Sequence, residues 1–251
     1  MRELEKRLKK ELQQNRNVKI MDTAKWGIPV HTIEVEYQTV KRNKMDVLMK
    51  MMLIAFQKTD IAKAEDLSEL LLVEQLFIQD LIDVLLRTQL IEKVDDFYKL
   101  TSRGYEQFKN GVFEEEQEVE SQNIMYSSCH QLFLDGEINT ALTDEEELVL
   151  FQYVKSENTV EHTFEDSMVI NALKNNYVES DEGDSQMVVS NVLSTTELHM
   201  DKIPCLQFIL YNTEEDIMYA RVWNSLIERW DEKLENQLNE NERIKWRETY
   251  L

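Results

Sequence analysis

Residues 44–111 read KMDVLMKMMLIAFQKTDIAKAEDLSELLLVEQLFIQDLIDVLLRTQLIEKVDDFYKLTSRGYEQFKNG, and the spacing of apolar residues in this stretch decides the fold expected of the chain. Met45, Leu48, Met49, Met52, Leu53 and Phe56 recur at intervals of three and four, which predicts a helix over Asn43–Lys58 with Asn43 as its cap. The methionines on that face read as core packing by a flexible side chain. A short helix follows over Ala64–Leu71. A third spans Glu74–Thr88, with Leu76, Phe77, Ile78, Leu81, Ile82, Leu85 and Leu86 as its expected buried side. Leu90–Val94 and Phe97–Leu100 read as two short strands joined through Asp95-Asp96. Thr101 caps a last helix from Ser102 to Asn110, and Gly111 stands where a helix C-cap glycine belongs.

Three helices, a hairpin and a closing helix in that order resemble the winged-helix (winged helix-turn-helix) superfamily. Bacterial members often carry Leu-Ile-Glu, a short turn and an aromatic-x-Leu-Thr-x-x-Gly run. Leu90-Ile91-Glu92 and Tyr98-Lys99-Leu100-Thr101-Ser102-Arg103-Gly104 match these. The resemblance implies a scaffold used for DNA, for another protein or for a neighbouring domain, because fold alone does not give function. The expected fold class is α+β: a winged-helix domain followed by a mixed α/β C-terminal domain ending in a long helix.

Outward from this stretch, Leu4, Leu8 and Leu12 predict an amphipathic helix over residues 2–15. Ile33, Val35 and Tyr37 would share one face of a strand, so residues 1–40 are expected to pack on the domain at 41–111. Glu114-Glu115-Glu116-Gln117-Glu118-Val119-Glu120 reads as an acidic linker over 112–122. An acidic α+β domain is expected over 123–251. It would contain β-compatible residues 123–134, a turn at Asp135-Gly136 and a helix capped by Thr143. Further expected elements are a helix over Glu165–Asn175, an acidic turn at Ser180–Asp184, and strands at Gln186–Val192 and Cys205–Tyr211. From Thr213 onward Ala220, Trp223, Ile227, Trp230, Leu234 and Leu238 advance by three and four, which predicts one long helix.

Net charge is -21, and it is unevenly spread: residues 1–37 hold 8 Lys+Arg against 6 Asp+Glu, 38–111 hold 11 against 12, and 112–251 hold 9 against 31. Such acidity repels nucleic acid and anionic membranes and favours basic partners. Two cysteines, Cys129 and Cys205, fit a reduced cytoplasmic setting. The charged start has no secretory h-region and no run of about 20 apolar residues occurs, so no membrane role is expected.

Catalytic patterns are missing. With 5 glycines there is neither a Gly-x-Gly-x-x-Gly nor a phosphate loop, and no cofactor is expected. His31, His130, His162 and His199 lack zinc-site spacing, and the adjacent Cys129-His130 would face opposite ways on a strand, so no metal is expected. Cys129 reads as a buried structural thiol, and no catalytic residue is assigned.

A DNA-reading winged helix presents cations from its third helix. Here that helix exposes Glu74, Gln75, Gln79, Asp80, Asp83, Arg87 and Thr88, a net charge of -2. The favoured expectation is therefore a non-enzymatic adaptor or accessory subunit that meets a basic protein partner through Glu74, Gln75, Gln79, Asp80 and Asp83, with Trp223 and Trp230 as further candidate anchors. The alternative is a DNA-binding regulator holding phosphates through Lys41, Arg42, Lys44, Lys93, Lys99 and Arg103. A third reading is that the acidic half mimics DNA on a basic nucleic-acid-binding protein.

Overall fold

The computed structural model describes residues 1–138, 148–154, 164–176 and 185–251, with no side-chain description at 175–176. The elements run α1 (Arg2–Leu12), β1 (Val18–Lys44), α2 (Val47–Lys58), α3 (Ala64–Leu71), α4 (Gln75–Arg87), β2 (Ile91–Val94), β3 (Phe97–Leu100) and α5 (Ser102–Asn110). They continue with β4 (Val112–Ser127), β5 (Leu132–Leu134), α6 (Asp166–Asn176), β6 (Ser185–Asn212), β7 (Ile217–Asn224), β8 (Arg229–Trp230) and α7 (Glu232–Tyr250). The expected helix capped by Thr143, the turn at 180–184 and His162 lie outside the described residues.

A six-stranded sheet of order β5-β4-β1-β6-β7-β8 overturns the expected fold class. Its strand β1 comes from the N-terminal region and lies between β4 and β6, so a winged-helix domain followed by a separate C-terminal domain is not what the chain builds. The chain divides instead into two units. The first takes Met1–Val35, the described part of Ser121–Asn176, and Ser194–Leu251; the second takes Glu36–Glu120 with β6 residues up to Leu193. Strands β1, β4 and β6 each contribute residues to both. Residues 112–122, expected as a linker, form the first part of β4.

In the first unit the sheet is buried on both faces, which is why β6 reads as the near-continuous apolar run Cys205–Leu210. Cys205 and Ile209 join Met218, Ala220 and Val222 of β7 against Leu234, Leu238 and Trp246 of α7. Leu206, Phe208 and Leu210 point the other way and pack with Leu8 of α1, Trp223 and Trp230. Burial along Ile217–Asn224 alternates strictly, with Met218, Ala220, Val222 and Asn224 buried. This period of two wins over the three-and-four spacing that predicted helix. The stretch pairs antiparallel with β6, Cys205 opposite Asn224 and Asn212 opposite Ile217, and helix begins only at Glu232. The two strands expected at 186–192 and 205–211 are one strand.

In the second unit, α2–α4, β2–β3 and α5 enclose a core of Met45, Met49, Met52, Leu53, Phe56, Ile61, Leu67, Ile78, Ile82, Leu85, Leu90 and Ile91. Asp46 rather than Asn43 caps α2, accepting from Met49 N at 2.7 Å, because residues 43–44 still belong to β1. The β2–β3 turn has Asp95 at φ 49° and Asp96 at φ 69°, the pair of left-handed residues that a two-residue hairpin requires. Thr101 Oγ1 accepts from Gly104 N at 2.9 Å, and Gly111 takes φ 72° at the end of α5.

Candidate functional site

Three features of the two units have chemistry to offer. The first lies in the second unit, where Glu114, Glu115 and Glu116 hold three arginines supplied by other elements. Arg42 donates from Nε and Nη2 to Glu114 Oε1 at 3.0 and 2.7 Å, Arg87 Nη2 to Glu115 at 2.6 Å, and Arg103 Nη1 to Glu116 at 2.9 Å. Arg87, Arg103 and the three glutamates border a cavity of about 510 Å³ that Lys41 also lines. Lys99 pairs with Asp60, and Lys93 lies 3.9 Å from Asp96 and over the Tyr98 ring. Lys44 is exposed. Four of the six residues proposed for phosphate, Arg42, Lys93, Lys99 and Arg103, thus already face a carboxylate, which removes most of the electrostatic gain that DNA binding draws on. Residues Glu36–Glu120 carry 11 Lys+Arg and 18 Asp+Glu, so the acidity extends through this unit.

The second feature is the corner where α3 meets α4. Leu70, Leu72, Leu76 and Phe77 are all exposed there, contrary to the expected burial of Leu76 and Phe77, and Leu86 is partly exposed as well. Only Ile78, Ile82 and Leu85 of α4 are fully buried. A helix of this length needs only a narrow stripe inside, and the first turn of α4 carries Leu76 and Phe77 outward. Glu74, Gln75, Gln79, Asp80 and Asp83 are exposed, with Gln79 Nε2 donating to Asp83 Oδ1 at 2.9 Å. Leu72 caps α3 in the left-handed region, φ 56° and ψ 40°.

The third feature lies in the first unit and has no sequence signature. Ser127 at the end of β4, His130 in the turn to β5 and Asp231 at the start of α7 form a buried chain. Ser127 Oγ stands 2.8 Å from His130 Nδ1, and His130 Nε2 is 2.9 and 3.1 Å from the two Asp231 oxygens. Asn224 Nδ2 donates to Asp231 Oδ2 at 2.8 Å and Leu234 N to Oδ1 at 3.2 Å. Asp231 accepts only, so the proton of a neutral His130 sits on Nε2 and Nδ1 receives the serine hydroxyl. Burial pushes the Asp231 carboxyl up, but hydrogen bonds from His130, Asn224 and Leu234 N outweigh it, leaving the acid below its ordinary value.

These residue types are those of a hydrolytic triad, but Ser127 is 0% exposed and offers its oxygen to no substrate. The chain of bonds instead ties the β4–β5 turn to α7, with Lys233 Nζ donating to the His130 carbonyl as a second tie. Cys129, in the same turn, borders a cavity of about 410 Å³. Its thiol is pushed up to about 11, by burial first and by the Asp231 charge second, so it is not a thiolate nucleophile at neutral pH.

Trp223 and Trp230, candidate anchors for a partner, meet edge-to-face at 5.5 Å under α1. Arg7 lies over the Trp223 ring, Arg221 sits 4.4 Å over the Trp230 ring, and Trp230 Nε1 donates to Glu11 at 3.4 Å. The chain's own first helix therefore fills the role imagined for a partner. Among the described residues no group of three or more His, Cys, Asp or Glu side chains is placed to hold a metal, and no helix is long and apolar enough to cross a membrane. Comparisons with protein-family models, curated proteins and solved structures find no match.

Proposed function

We propose that this chain is a non-enzymatic interaction protein, an adaptor or accessory subunit that meets a protein partner with a basic surface through its second unit. The winged-helix resemblance of residues 44–111 belongs to this reading as a protein-contact scaffold. The observation that carries it is the pairing of Arg42, Arg87 and Arg103 with Glu114, Glu115 and Glu116, beside an α4 whose exposed charged residues, with Glu74 at its cap, are Asp80, Asp83 and the already paired Arg87. Cations spent on neighbouring carboxylates contribute little to phosphate binding, whereas unpaired acids on a helix face attract a basic protein surface.

The test has two arms. Mixed-sequence duplex DNA titrated at low salt is expected to show no binding; sub-micromolar affinity that falls steeply with salt overturns the proposal in favour of a DNA regulator. A photo-crosslinking residue placed at Gln79 in the producing cells is expected to yield a discrete protein adduct that one placed at Arg243 does not. The same adducts from both positions, or none, also overturn it.

A further inference from the structure

We infer that the α3–α4 corner of the second unit is a docking site for an amphipathic protein segment whose apolar side chains are flanked by lysine or arginine. This deepens the interaction reading above and rests on it. Leu70, Leu72, Leu76 and Phe77 fall within eight residues across one tight turn and are 58%, 91%, 66% and 61% exposed. Four large apolar side chains at one turn exceed the scattered exposure that needs no explanation.

Leu72 is the most telling of the four. At φ 56° and ψ 40° its Cβ is crowded against backbone, and glycine is the low-energy choice at such a helix C-cap. Ser68 stabilises the turn itself, its carbonyl accepting from Val73 N at 3.3 Å and its Oγ donating to Val73 O at 2.7 Å. Neither bond involves the Leu72 side chain. Nine-tenths exposed, that side chain has little packing inside this unit to offset the strain, so its benefit lies with a surface that covers it.

Charge identifies the covering surface. Between Lys63 and Arg87 there is no Lys or Arg and there are six acids, Glu65, Asp66, Glu69, Glu74, Asp80 and Asp83, every one exposed. Glu69 is adjacent to Leu70, Glu74 lies two positions from both Leu72 and Leu76, and Asp80 lies three past Phe77. A partner with apolar residues inside a cationic rim matches this on both counts, in the manner of a helix laid against a hydrophobic corner.

The experiment uses the full chain and two labelled helical peptides of about 18 residues, some five turns. They share one leucine stripe, and one carries lysine and the other glutamate on the polar face. Fluorescence anisotropy is expected to show saturable one-to-one binding of the lysine peptide only. Leu72→Asp and Phe77→Asp add negative charge and would strengthen any diffuse attraction, yet each is expected to weaken binding about ten-fold or more. Leu72→Gly is expected to weaken binding while raising the melting temperature, which separates lost contact from lost fold.

No binding of the lysine peptide, or affinity unchanged in both aspartate variants, overturns the inference. So does a dimer detected by sedimentation that the aspartate variants dissociate, since a second copy would then occupy the corner. Any of these results without DNA binding removes this site alone; salt-dependent DNA binding removes the reading beneath it.

Discussion

Replacing Asp231 by alanine removes the acceptor shared by His130 Nε2, Asn224 Nδ2 and Leu234 N, at 2.9, 2.8 and 3.2 Å. His130 and Asn224 are buried, so water does not take over. Each donor left unsatisfied costs about 1–3 kcal/mol, and loss of the α7 N-cap adds about 1 kcal/mol. The expected loss is about 4 kcal/mol, a large share of the roughly 5–15 kcal/mol that holds a domain folded. All four tryptophans, Trp26, Trp223, Trp230 and Trp246, belong to the first unit, so indole fluorescence during urea titration follows that unit alone.

With a slope of about 2 kcal/mol per molar, the midpoint should fall by about 2 M. The same variant should also lose the acid sensitivity that Asp231 supplies. Its folded value lies below the unfolded one of about 3.9, so its contribution is present above that pH and is lost as pH falls through the folded value. A loss under about 1 kcal/mol for Asp231→Ala, against the expected 4, would refute the clamp.

Gly104→Ala should destabilise the second unit by more than about 3 kcal/mol, because the new Cβ would lie 1.9 Å from the Leu90 carbonyl oxygen, which also receives Thr101 N. Faster amide exchange along α5 and the β2–β3 hairpin would report it. Leu72→Gly should stabilise the same unit by about 0.5–1 kcal/mol, seen as slower exchange in α3. Alkylation of Cys129 should be slow at pH 7.5 and quicken up to about pH 11, where mass spectrometry of its peptide would locate the half-ionised point.

Local chemistry made much of the second unit legible. The Asp95-Asp96 turn, the Thr101 cap and the Gly111 terminus each depend on residues within a few positions of one another, and each stands where its residue type implies. Residues 217–230 misled for a physical reason, whereas Leu234 and Leu238 do lie on the helix expected of them. An alternating run with occasional extra apolar residues also satisfies a three-and-four count, and only pairing with β6 decides between the two periods. The acidic run at 114–120 looked like a linker because the arginines that make a strand of it tolerable, Arg42, Arg87 and Arg103, come from three other elements. Ser127, His130 and Asp231 were invisible for the same reason: 101 positions separate the histidine from its acid. What sequence pattern does reveal about the candidate surface is charge; the outward turn of Leu76 and Phe77 depends on which stripe of α4 the unit buries.

Strand β1, made early, has consequences for synthesis. Its neighbours in the sheet are β4 and β6, and β6 ends at Asn212. A ribosome adding about 5–20 residues per second therefore exposes residues 18–44 for roughly ten seconds or more before the last of their pairing partners is made. Both sides of this 27-residue strand lack partners until β4 is complete at Ser127, and the side that β6 covers lacks its full partner until Asn212. With Ile28, Val30, Ile33 and Val35 awaiting burial on it, β1 is the segment of the nascent chain that a holding chaperone would be expected to shield, and a truncation upstream of β6 would leave one side of it permanently open.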